Sequence, residues 1–154
     1  MAKDSWKLAP GLGHVGAYQV SGRPFASGSC LAPVSGATKL RVQFPRVTKW
    51  VQIEPRALTE DSAGRLLRVA FSENGLHNKA GWNFVVHASS SLRGPLDLKV
   101  SELWFMSEDS TVFEFSIVAG LTNIPSSRTE TDDRTIGGTV TAAGPNWSGS
   151  VGVG

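Results

Sequence analysis

The chain is short of the residues that would staple it, export it or charge it. It holds a single cysteine, Cys30, so no disulfide can form within one copy and no oxidising compartment is implied. With no histidine beside it and no helix start before it, Cys30 reads as a small buried apolar residue. No apolar run is long enough to span a membrane, since the charge-free last twenty residues are rich in Gly, Ser and Thr. Met1 leads through Lys3 and Asp4 into a Pro/Gly-rich stretch and not into the apolar core of an export signal, so a soluble protein made where it folds is expected. Charged residues make up 18%, against about 25% in ordinary soluble domains. The 15 basic and 13 acidic residues are scattered, without the Lys/Arg cluster that follows a phosphate backbone, so no specific nucleic-acid binding is expected. A surface so poor in charge is one that other subunits can cover.

Helical periodicity is lacking as well. Apolar residues recur with a period of two: Leu40, Val42 and Phe44; Val51 and Ile53; Leu67, Val69 and Phe71; Trp82, Phe84 and Val86; Phe113, Phe115 and Ile117. Each set describes a half-buried antiparallel strand, and the separators "PVSG", "EDSAG", "ENG" and "SEDS" are turn-formers. In "LDLKVSELWFM" the phase changes between Val100 and Leu103, which predicts a bulge near Ser101 and Glu102 at a sandwich corner. With the shorter pieces "AYQV" and "SGSCL" the count reaches about eight strands. The predicted fold is therefore all-β, a single jelly roll (an eight-stranded antiparallel β-sandwich) or a closely related Greek-key sandwich. One domain of 154 residues is long enough to bury roughly two thirds of its unfolded surface. It divides into an N-terminal arm (1–16), a sandwich (17–122) and a Gly-rich C-terminal extension (123–154). The extension is poor in core formers and is expected to lie on a neighbouring surface or to be disordered alone.

Catalytic patterns are equally scarce. "GLGHVG" at 11–16 matches the dinucleotide fingerprint, but Pro10 precedes it and "AYQVSGRPF" follows it, so no strand and helix can be built around those glycines. His14, His77 and His87 have no metal-binding spacing, and no nucleophile elbow occurs. The acidic runs "TEDS", "SEDS" and "TETDD" lack the ligand order of a calcium loop. No catalytic residue, metal or cofactor is assigned. The aromatics are more informative. Trp50, Trp82 and Trp104 fall within strands, whereas Trp6 and Trp147 fall in the arm and the extension, where docking on a partner, or folding back on their own sandwich, would bury them.

The phrases "GLGHVGAYQVSGRPFASG", "VQFPRVTKWVQI", "LRVAFSENG", "FSIVAGLTNIP" and "GPNWSGSVGVG" together resemble small capsid proteins of large double-stranded DNA viruses of algae and other protists, in particular the single-jelly-roll penton family. The resemblance runs nearly end to end. It implies a structural virion protein, not an enzyme: a homopentamer closing the fivefold vertex, made in the host cytoplasm and surrounded by major and minor capsid proteins. In such a ring different faces of one sandwich meet around an axis, and Trp6, Tyr18, Phe25 and Trp147 are the expected contact residues. Alternatives are a minor capsid, cement or decoration protein, a glycan-binding jelly roll using "HNKAGWN" around Trp82, and a cupin-type enzyme, against which the histidine placement argues.

Overall fold

Strict alternation, punctuated by Gly, Pro and Ser, leaves the backbone little choice but extended strands that bury one face. The computed structural model describes residues 22–36, 38–56, 65–76, 83–89 and 95–126, with residue 16 and the pairs 135–136 and 139–140. Its strands are β1 (Arg23–Ala32), β2 (Leu40–Gln43), β3 (Arg46–Pro55), β4 (Leu66–Ala70), β5 (Asn83–His87), β6 (Glu102–Ser107) and β7 (Phe113–Pro125), with the short pair β8 (Thr135–Ile136) and β9 (Thr139–Val140). A 3-10 turn at Asn74–Leu76 interrupts the β pattern. The expected arm, the expected strand "AYQV" and most of the expected extension lie outside the described residues.

Two antiparallel sheets result, one in the order β1-β7-β3 and one in the order β2-β6-β4-β5. They pack face to face. Val51, Ile53, Phe115, Ile117 and Ala119 from the first meet Leu67, Val69, Val86, Leu103 and Phe105 from the second in one buried cluster. The Phe105 and Phe115 rings join the two sheets with centroids 4.6 Å apart. Burying each of these large side chains stabilises the fold by about 1.5–3 kcal/mol before ordering costs, and that is what sets the sandwich. The architecture is all-β, as the periodicity predicts.

Among the described residues the two sheets hold seven strands, and the place of an eighth is taken by a looser segment beside β3. There Leu96 and Val51 exchange backbone hydrogen bonds of 2.8 and 2.9 Å, and the Thr48 amide donates to the Val100 carbonyl at 2.9 Å. The Thr48 hydroxyl accepts from the Val100 amide at 3.0 Å. The chain then bends at Ser101, whose carbonyl accepts from the Phe44 amide, and continues as β6 in the other sheet. The phase change in "LDLKVSELWFM" is therefore a passage between sheets, not a bulge within one strand. Parity need not carry across such a corner, because the two halves answer to different cores.

Irregular register occurs elsewhere: in β1 between Ser27 and Cys30, and in β3 between Arg46, Thr48 and Trp50. Ser29 carries a φ of 55°, the left-handed conformation that lets one residue bulge out of β1. Pro24 lies in the same strand, tolerated because β1 is at a sheet edge. At the other end of the fold, Arg46 stands opposite Pro125, Ile124 is fully buried, and the Ser126 hydroxyl donates to the Phe44 carbonyl at 2.6 Å. The sandwich thus runs past residue 122 and takes in the first residues expected in the extension.

Candidate assembly surface

A sandwich has two outer faces, and here they differ. The outer face of β2-β6-β4-β5 is largely covered by its own chain. The turn after β4 brings Leu76 against Ala70 and Met106, with Trp104 packed beside them. Arg68, 2% exposed, lies under this cover: its Nε donates to Glu108 at 2.6 Å and an Nη donates to the Leu76 carbonyl. At the β2 edge Arg41 ion-pairs with buried Glu102 and stands 5.6 Å from the Trp104 ring centroid. The indole Nε1–H of Trp104 donates to Glu102 at 3.1 Å, and Lys39 pairs with Glu73. The polar groups of this face are therefore tied to one another, and the Trp104 ring already carries a cation on it.

The outer face of β1-β7-β3 has no such cover among the described residues. Its register sets Pro24, Gly120 and Trp50 in one row, Ala26, Val118 and Gln52 in the next, and Ser116 beside Glu54. Leu31 stands opposite Glu114. Among the described residues the large hydrophobic side chains left in water are Leu31 (57%), Val112 (47%) and Val118 (36%) on or next to β1 and β7, and Val85 (41%) on β5. Three of these four share the β1-β7 face. The face's charges are gathered at one corner, where Arg56 donates to Glu114 at 3.1 Å and to the Ser29 hydroxyl at 3.2 Å, and Gln52 donates to Glu54. The two rows through Gly120 and Val118 carry no ionised side chain.

The size of this patch matters. From Val112 to Gly120 the face runs about 26 Å at ~3.3 Å per residue, and three strands give it a width of about 14 Å, or roughly 370 Å². A stable protein interface removes about 800 Å² per partner. The bare face thus provides about half of one.

Of the contact residues expected from sequence, Trp6, Tyr18 and Trp147 lie outside the described residues, as do Trp82, His14 and His77. Phe25 stands opposite Ala119 on the inward side of β1 and packs edge-on against Phe44, centroids 5.1 Å apart, at the rim of the core. It is half-buried and belongs to a different side of β1 from Pro24 and Ala26. Cys30 is half-buried, its thiol 3.4 Å from the Ser27 hydroxyl. His87 is exposed on β5. No group of three or more His, Cys, Asp or Glu side chains able to hold a metal occurs among the described residues, and no helix there is long and apolar enough to cross a membrane.

Sequence reasoning missed Leu31, Val112 and Val118. Val118 was legible: Phe113, Phe115 and Ile117 point inward, so a valine one step beyond falls at the outward parity. Comparison with family models, with curated protein sequences and with solved structures found no match.

Proposed function

We propose that this chain is a structural virion protein with a single jelly-roll fold, a penton protein whose pentamer forms the fivefold vertex of an icosahedral capsid. The observation that carries the reading is the strand order. If residues 95–100, bridged to β3 at Val51 and Leu96, are counted as a further strand, the sheets β1-β7-β3 and β2-β6-β4-β5 take an order that supports a jelly roll with paired Greek keys. A bare, weakly charged outer face fits a subunit destined for burial in an assembly. In this reading the chain carries no catalytic chemistry and takes no cofactor. Its partners are copies of itself and the surrounding capsid proteins, and its place of action is the virion.

The test is the mass of the full chain in solution by light scattering coupled to size exclusion, over a concentration series. Five copies of 16.4 kDa give about 82 kDa, and a species approaching that mass as concentration rises is the expected result. A mass fixed at one copy under every condition would overturn the self-assembling vertex and favour a cement protein between capsomers.

A further inference from the structure

We infer that the outer face of β1-β7-β3 is the seat for the uncharged C-terminal segment, residues 141–154, of a second copy of this chain; this rests on the assembling-subunit reading above. Four observations converge on that occupant.

Leu31, Val112 and Val118 are exposed, and in an assembly of copies a neighbouring subunit is placed to cover them. The face is also too small for a rigid sandwich to dock on it with a stable interface, since about 370 Å² falls well short of about 800 Å². A partner therefore has to add contact beyond the flat patch, and an extended segment that wraps does this. The chemistry matches: the rows through Gly120 and Val118 hold no ionised side chain, the charges nearer Leu31 are engaged within the face as Arg56–Glu114 and Gln52–Glu54, and no Asp, Glu, Lys or Arg occurs from Thr135 to Gly154. A charged occupant would lose its hydration there without a counter-charge, whereas the side chains of "SVGV" and Trp147 bring no charge to desolvate. Trp147 alone brings about 150–250 Å² of burial.

The lengths are also sufficient. Crossing about 26 Å takes roughly eight extended residues, and the segment has fourteen. With the β8-β9 hairpin closed between Thr135 and Val140, the stretches 127–134 and 141–154 on either side of it reach up to about 70 Å when extended, more than twice the length of the face. Pro24 and the bulge at Ser29 disfavour simple strand addition along the β1 edge, so the segment lies on the face and not along that edge.

The experiment uses the full chain carrying the photo-crosslinking residue p-benzoylphenylalanine in place of Val118, and in a second variant in place of Leu31, both exposed positions. Each is assembled from equal amounts of ordinary and 15N-labelled copies, irradiated, digested and mapped by mass spectrometry. Cross-links from position 118 or 31 into 141–154, about half of them joining an ordinary copy to a labelled one, are expected, and W147A should reduce their yield at least tenfold. Links that join only like-labelled copies, links to another segment, or no linked product would overturn the inference. Light scattering on the same samples separates the two claims: an 82 kDa species without these links loses the inference and keeps the vertex, whereas a single-copy mass loses both.

Discussion

Removing Glu108 should cost this protein more than removing its partner Arg68, although the ion pair is lost either way. The asymmetry follows from burial: the Arg68 side chain is 2% exposed and the Glu108 side chain 23%. In R68M the stranded carboxylate swings into water, and the main residual cost is the Leu76 carbonyl that Arg68 had satisfied, about 1–3 kcal/mol for a buried acceptor left unpaired. In E108L the guanidinium stays under the turn at Asn74–Leu76 without the Glu108 carboxylate, and removing one partner of a buried ion pair costs about 3–5 kcal/mol. The double variant R68M/E108L removes both charges and should recover most of the loss. Urea unfolding followed by far-ultraviolet circular dichroism reads these differences. With a slope of about 2 kcal/mol per molar urea, R68M and E108L midpoints should lie about 1 M apart, with E108L lower. An R68M midpoint at or below that of E108L, or a double variant as unstable as the sum of the singles, would refute the reasoning.

Two further substitutions probe the sandwich itself. F105A and F115A should each cost about 3–5 kcal/mol, and their double-mutant cycle should return about 0.5–1.5 kcal/mol of coupling, because the rings touch across the sheets at 4.6 Å; additive losses would place them out of contact. T48V should cost about 1–3 kcal/mol and speed amide exchange at Val100, because the hydroxyl that fastens residues 98–100 to β3 is lost; unchanged exchange there would show that the segment holds without it.

What the sequence made legible was whatever a period of two encodes. The inward sets on β2, β3, β4 and β7 stand where alternation puts them, since each is decided by its own strand. Arg68 escaped such reading, because parity assigns it to the solvent side of β4 and only the later turn at Asn74–Leu76 covers that side. Glu102 escaped for the same reason: its burial depends on Arg41, sixty-one positions earlier. The passage at Ser101 was visible as a change of phase, but a change of phase cannot tell a bulge from a switch of sheets. Phe25 was expected as a contact residue within the sandwich, and the register of β1 turns its ring inward. The bare outer face emerged only from comparing two faces, which needs the sheet order.

That order has a kinetic side. Ala32, the last residue of β1, pairs with Phe113, 81 positions later (113 − 32). At synthesis rates of about 5–20 residues per second, β1 waits roughly 4–16 s on the ribosome before its only strand partner among the described residues exists. β3 is also without β7 until then. Two strands held open so long are targets for pairing with other nascent chains. Pro24, which lacks an amide donor whether or not the chain is folded, limits such pairing at the stage when β1 has two unpaired edges.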